Sequence, residues 1–375
     1  MKNSKGNAII VIIVIALIVL MLGAAGLFVY LNTKNTNANT NENNDNIENN
    51  QAENEIITNN ETIIEPAFNE IIEDEQDEII KNNEISSASY YYKQLDSNAK
   101  KIYSKLKEEK NSLKTGTYIF EFGTEFNNLL HSEKGEEMLK TAFQSAIDAF
   151  FYDDCSFFYV DINKINLINE KRTSDGTTTY YISIGPGNNK NYLQDNFQTK
   201  ESIENAQNYL DNIINQMIAQ TQSDTIETKI TKVHNWLVRV VNYEKSDNNI
   251  NQYNIYGAIH DKKAVCEGYA RSFKYIMEKM SIPTILVSGT AKNSEGKIEA
   301  HAWNYVEINE NWYAVDVTWD DPVIANGTSY LTDEKKYKYF LKGADEFFKD
   351  HTESGTISEN GIIFSFPLIS GGNYQ

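Results

Sequence analysis

Residues 8–31 (AIIVIIVIALIVLMLGAAGLFVYL) carry no charged side chain. As a helix rising 1.5 Å per residue they extend about 36 Å, enough to cross a hydrocarbon layer of about 30 Å with some tilt. The run is longer than the apolar core of a signal peptide, so it reads as a retained membrane helix, not a cleaved leader. Lys2 and Lys5 precede it, and Lys34 is soon followed by many acids. The excess of positive charge before the span predicts residues 1–7 in the cytoplasm and everything beyond residue 31 outside the cell membrane, on a single-pass anchor. Any folded domain must therefore be found downstream of it.

It does not begin at once. Residues 32–88 are rich in Asn and acids, and they cannot bury enough apolar surface to offset the entropy of ordering. They are expected to be a disordered acidic linker; the isoleucine pairs of 62–84 are interrupted by Pro66 and dense charge. Acids outnumber Lys there by 14 to 2, so about −12 of the chain's −19 belongs to this stretch. The folded remainder is only mildly acidic. Without a basic surface it is not expected to bind nucleic acid.

Ordered structure is expected from residue 89. A helix fits SYYYKQLDSNAKKIYSKLKEEKNSL through Leu95, Ile102, Tyr103 and Leu106. Strands fit GTYIFEF, CSFFYVDINKI and TTTYYISI, with a helix around 136–150 and a turn at Gly185-Pro186-Gly187. Residues 89–198 thus read as a small α+β domain with no catalytic constellation. Two helical stretches follow, about 199–220 and 224–241, opening a second domain, 199–375. His234, among Trp236 and Leu237, reads as a structural histidine.

The only cysteines are Cys155 and Cys266. That excludes a disulfide scaffold and a CxxC metal cluster, and neither a metal nor an organic cofactor is implied. Cys155 adjoins Asp153 and Asp154, whose charge opposes a thiolate, so it reads as a packed residue. A Cys155–Cys266 disulfide is compatible with an extracellular site and would block any thiol chemistry.

Cys266 lies in KKAVCEGYARSFKYIMEKM. Tyr269, Ala270, Phe273, Met277 and Met280 form one stripe that stops at Ser281-Ile282-Pro283, so a helix should begin at or just before the cysteine. Unpaired N–H groups at such an end favour a thiolate and could hold an oxyanion. EAHAWNYVEI and NWYAVDVTW flank Asn309-Glu310 and read as a hairpin. With that pair as the loop, Ile308 faces Asn311, His301 faces Thr318, and Asp316 faces Trp303. His301 and Asp316 are then diagonal neighbours on one face, about 7–8 Å apart, close enough for imidazole and carboxylate to meet; a three-residue loop would put them on opposite faces. A thiol, an imidazole to move its proton and a carboxylate to orient the imidazole are what nucleophilic acyl transfer needs. Asp320 and Asp321, just before Pro322, read as a turn or rim. Trp303 and Trp319 stand either as core or as groove walls.

These segments, with YGAIHDKKAVCEGYARSFKYIMEKMSIPTILVSGT, HAWNYVEINENWYAVDVTWDDP and KYFLKGADEFFKDHT quoted in full, resemble the bacterial transglutaminase-like superfamily over roughly 199–351. The resemblance implies an α+β fold with a core similar to papain-like peptidases, in which a helix bearing the cysteine packs on an antiparallel sheet. It implies Cys266, His301 and Asp316 as the catalytic triad, with Tyr256 contributing upstream to the oxyanion site. The implied activity is attack on a peptide or protein amide, cell-wall material included, through a thioester; water as acceptor makes a peptidase or amidase, an amine makes a cross-linking transglutaminase. The competing expectation is a catalytically silent, envelope-tethered module that uses the same groove to bind a peptide or partner.

Overall fold

The structure, a computed structural model, describes residues 89–244, 246, 250–321 and 336–375. The expected membrane helix (8–31) and linker (32–88) lie outside the described residues; among those described, no helix is long and apolar enough to cross a membrane.

Helix α1 (Ser97–Glu108) starts where the Asp96 side chain accepts from Ala99 N, and it buries Ala99, Ile102, Tyr103 and Leu106 along one face. Helices α2 (Asn127–Leu130) and α3 (Gly135–Asp153) follow strand β1 (Phe120–Gly123). A hairpin of β2 (Asn166–Ser174) and β3 (Thr177–Gly185) completes a three-stranded antiparallel sheet of order β1-β3-β2.

The strand expected in CSFFYVDINKI is not there. Asp154 and Asp161 each turn back to accept from the backbone N–H two residues on, at Ser156 and Asn163, and set short 3-10 turns instead. The strand comes later, as the mostly exposed β2. It is joined to β3 by Asp175-Gly176, whose φ angles of 50° and 77° suit a two-residue hairpin turn.

The expected helix pair is present as α4 (Lys200–Gln220), closed by a capping box at Thr199 and Ser202, and α5 (Ile226–Val240), capped by Thr225. Next come a short parallel pair, β4 (Asn242–Tyr243) with β5 (Lys263–Ala264), and then α6 (Cys266–Lys279). Strands β6 (Thr284–Lys292), β7 (Ile298–Ile308), β8 (Asn311–Val315) and β9 (His351–Glu353), with the one-turn α7 (Ala344–Phe347) before β9, build an antiparallel sheet of order β8-β7-β6-β9. Side-chain alternation along β7 sorts its two faces. Asn304 and Val306 meet α6, with Asn304 Nδ2 donating to Ala270 O at 2.9 Å, while Trp303 and Tyr305 enter a second cluster with Ile285, Val287, Tyr339 and Phe347.

One apolar core runs from Tyr91 through Phe150 and Phe157 to Tyr269, Phe273 and Phe364, and so joins segment 89–198 to segment 199–375. Polar ties cross the same boundary. Arg271 and Lys274 of α6 donate to Phe151 O (2.6 Å) and Asp153 O (2.7 Å) at the C-terminal end of α3, where unpaired carbonyls welcome cations. The helix that carries the thiol is thereby fixed by the N-terminal segment.

Candidate active site

Helix α6 begins at Cys266 because Val265 is extended (φ −95°, ψ 179°). The Val265 N–H is taken by Gln252 O at 3.0 Å, and Tyr269 N makes a helical bond back to Val265 O at 3.1 Å. The N–H groups of Cys266, Glu267 and Gly268 lie in the first turn, where a helix has no carbonyl of its own to offer. They create a local field that favours negative charge at the thiol or at an oxygen held beside it. Gly268 permits the close approach, since a Cβ there would sit 2.4 Å from Gln252 O. Cys266 is partly exposed and unpaired; it packs with Tyr152 on Ala270, Leu286 and Ala302. Cys155 is buried and also unpaired, and burial pushes its thiol up.

The hairpin has the expected register: Ile308 pairs with Asn311, and the ladder continues to Asn304 with Val315. Asn309 and Glu310 both have positive φ, 51° and 63°, as a two-residue turn of this hand requires. The ladder stops one residue short of Asp316, however. Expected pairings of Asp316 with Trp303 and of Thr318 with His301 do not form, because Asp316 N turns to Tyr339 O (3.0 Å) and the Asp316 side chain starts a turn. Its Oδ1 accepts from Thr318 N at 3.0 Å and Trp319 N at 3.1 Å.

Asp316 Oδ2 lies 2.7 Å from His301 Nε2. That leaves His301 Nδ1 as the nitrogen available to the thiol. Burial disfavours a charged ring at His301, but Asp316 outweighs it and Cys266 adds to the effect, lifting the imidazole to about 10. Burial likewise opposes the charge of Asp316; His301 and then His351 overcome it and hold the carboxyl well below the usual range.

His351, which carried no role in the sequence reading, is the second imidazole at Asp316: its Nε2 lies 3.2 Å from the same Oδ2. Its signal in the sequence, a histidine in KDHT some 35 residues beyond the hairpin, has no spacing that ties it to the site. His301, Asp316 and His351 are the one group of metal-donor type found among the described residues, with donor atoms within 4.8 Å of one another. At 2.7 Å, the His301–Asp316 contact is closer than two ligands of one zinc stand, roughly 3.3 Å for tetrahedral bonds of about 2.0 Å. The geometry is that of a hydrogen-bonded trio.

Trp319 is half-buried, its ring 5.1 Å from His301, and it forms a wall beside the imidazole. Trp303 is 1% exposed and packs against Phe347 and His351, so it is core and not groove. The ring of Tyr256 stacks on Phe158 and His260 and meets Phe197 edge-on, so two of its three ring partners come from the N-terminal segment. A different tyrosine answers to the thiol. Tyr243 pairs in β4 with Ala264, two residues before Cys266, and its phenol is pushed up by burial, then by Cys266, Glu299 and Asp316. Strands of two residues leave no periodic trace in a sequence, which is why Tyr243 was missed.

Asp320 and Asp321 do not form a rim; both are buried. Asp320 Oδ2 lies 3.1 Å from His234 Nε2 and Asp320 Oδ1 accepts from Tyr339 N, while Asp321 accepts from the Tyr269 hydroxyl. His234, fully buried, is the structural histidine its apolar setting suggested. These pairs clasp the turn that carries Asp316 to α5 and α6.

Residues 211–317 match the family model for the transglutaminase-like superfamily. The chain carries a transglutaminase-like domain. The matched stretch opens within α4 and closes at Val317, so it takes in Cys266, His301 and Asp316 and stops short of His351. Among curated proteins the chain is similar to kyphoscoliosis peptidase of Mus musculus, 22% identical over 153 residues, and of Homo sapiens, 22% over 157 residues. The matches cover 38% and 39% of this chain but only 23% of either relative, so the chain spans about a quarter of their length. Among solved structures it is similar to one described as a TGase (16% identity, 47% of this chain and 50% of that one, TM-score 0.28). A putative cysteine protease from Cytophaga hutchinsonii (14%, 43% and 68%, 0.25) and the periplasmic domain of TgpA from Pseudomonas aeruginosa (12%, 43% and 57%, 0.25) are similar at the same level.

Proposed function

We propose that this protein is a cysteine acyl-transfer enzyme acting on peptide or protein amides, with Cys266 as nucleophile, His301 as acid and base, and Asp316 as the group that orients His301. The observation that carries the reading is the buried 2.7 Å contact between His301 Nε2 and Asp316 Oδ2, on a ring that also interacts with Cys266, the thiol at the start of α6. His301 takes the thiol proton, and the thiolate attacks the amide carbonyl carbon. The carbonyl oxygen, now negative, is met by first-turn N–H groups of α6. His301 then returns the proton to the amine nitrogen as the C–N bond breaks, leaving a thioester on Cys266. Water activated by His301 releases an acid; a primary amine in its place forms a new amide. Similarity to a peptidase and the match to the transglutaminase-like family model support both outcomes. The charge-free run 8–31 behind Lys2 and Lys5 supports an anchored protein with this domain outside the membrane.

The rival reading, a silent binding module, would have been favoured by a Cys155–Cys266 disulfide, and both thiols are free. Iodoacetamide labelling followed by mass spectrometry is expected to modify Cys266 at pH 6, and at least tenfold more slowly in His301→Ala. Equal labelling of the two would sink the proposal. A peptide-amide panel offered with a labelled primary amine then reads the acceptor from the products.

A further inference from the structure

The reading above gives no role to His351, which lies beyond the matched stretch 211–317. Its ring is buried and held on every side. It stacks on Phe347 at 4.0 Å, with Trp319 at 4.8 Å and Tyr339 and Trp303 at 5.1 Å. Both of its nitrogens face carboxylates: Nε2 is 3.2 Å from Asp316 Oδ2 and Nδ1 is 2.7 Å from Asp350 Oδ1. Asp350 is itself fixed, because its Oδ2 accepts from the Tyr339 hydroxyl at 2.7 Å and its backbone carbonyl accepts from Lys292 N at 2.8 Å. Ionised carboxylates only accept, so two hydrogen bonds along Asp350–His351–Asp316 need a proton on each ring nitrogen, one more than a neutral imidazole carries.

Asp316 then has every acceptor position filled. Backbone N–H groups of Thr318 and Trp319 hold Oδ1, and two imidazoles hold Oδ2. A carboxylate has about four such positions. Remove His351 and the carboxylate loses the contact that stops Oδ2 from swinging away from His301.

We propose that His351 is a positioning residue of the thiol site, a doubly donating ring clamped between Asp350 and Asp316 that holds the Asp316 oxygen against His301. The proposal rests on the acyl-transfer reading. Groups facing the clamp are Asp316, Asp350, His301 (rings 5.7 Å apart) and Tyr339, whose hydroxyl also meets Lys338 Nζ.

The test is the rate of Cys266 alkylation by iodoacetamide as a function of pH, in the full chain. On the acyl-transfer reading His301 takes the Cys266 proton, so the acid limb of this profile reports how well Asp316 supports the His301 ring. His351→Phe keeps the stack and removes both donors. The acid limb should move up by about one to two pH units and the rate at pH 6 should fall by roughly ten- to a hundredfold, as losing one hydrogen bond to a charged group brings. His351→Gln, with one amide donor, should recover part of the shift. A limb in His351→Phe that stays put or moves down, or a Gln variant no better than Phe, overturns the proposal. If neither variant folds, nitrogen NMR of the wild type decides: both ring N–H groups of His351 should be visible at pH 6, and a ring with one N–H overturns it. A wild-type profile indifferent to His301→Ala would bring down the enzyme reading as well; a His301-dependent profile with an unchanged His351→Phe brings down this inference alone.

Discussion

Replacing Asp316 by Asn keeps size and shape but exchanges acceptors for donors. The backbone N–H groups of Thr318 and Trp319 would claim the amide oxygen, so the amide nitrogen would point at His301 Nε2 and His351 Nε2. His301 would then carry its proton on the nitrogen meant to receive the thiol's. Asp316→Asn is expected to lower Cys266 alkylation at pH 6 by tenfold or more, with a much smaller change in unfolding free energy because the turn bonds survive; an unchanged rate would contradict the orienting role. Cys266, His301 and Asp316 were legible as single residues because chemistry restricts them to a few residue types and local pattern placed each on an element. Tyr243 and His351 were not legible. Their positions follow from a two-residue parallel pair and from a chain that returns after residue 336 to the edge of the sheet, and neither leaves a periodic mark.

The hairpin of β7 and β8 was readable as an element because side-chain alternation and the polar Asn309-Glu310 pair fix its register together. The strand's end was not readable: whether Asp316 continues the ladder depends on Tyr339 O, an acceptor distant in sequence. The turn also carries a cost. Glu310 sits at φ 63°, where a Cβ crowds the following carbonyl. Glu310→Gly should relieve that strain and stabilise the fold by roughly 0.5–1 kcal/mol, after the greater freedom glycine gives the unfolded chain is subtracted. Urea unfolding would show a higher midpoint at unchanged slope. A lower midpoint would mean that Glu310 makes a compensating contact.

At the scale of the whole molecule, the sequence showed two segments of different character, but not that they share a core. The shared core and its polar ties depend on contacts between residues more than a hundred positions apart, such as Lys274 with Asp153, and local pattern carries no information about them. That burial has a measurable consequence. Asp148 and Asp320 are each about 3% exposed or less, and burial, before any other cause, raises both carboxyls to about 6. An acid whose pKa is higher in the folded state binds more protons there than in the unfolded chain, between about 4 and about 6. Stability therefore falls as pH rises through that window, by on the order of 3 kcal/mol for each such group. His301 acts in the same direction over a later window: raised to about 10, its contribution is complete below about 6.5 and is lost as pH climbs towards about 10. Asp316, lowered instead, gives up its contribution only below about 4, outside both windows. Urea unfolding followed by tryptophan fluorescence should therefore show its highest midpoint near pH 4 and a continuous decline to pH 9. A midpoint that rises between pH 5 and 8 would mean that the buried carboxyls keep their solution behaviour and that the shared core is more open to water than its packing indicates.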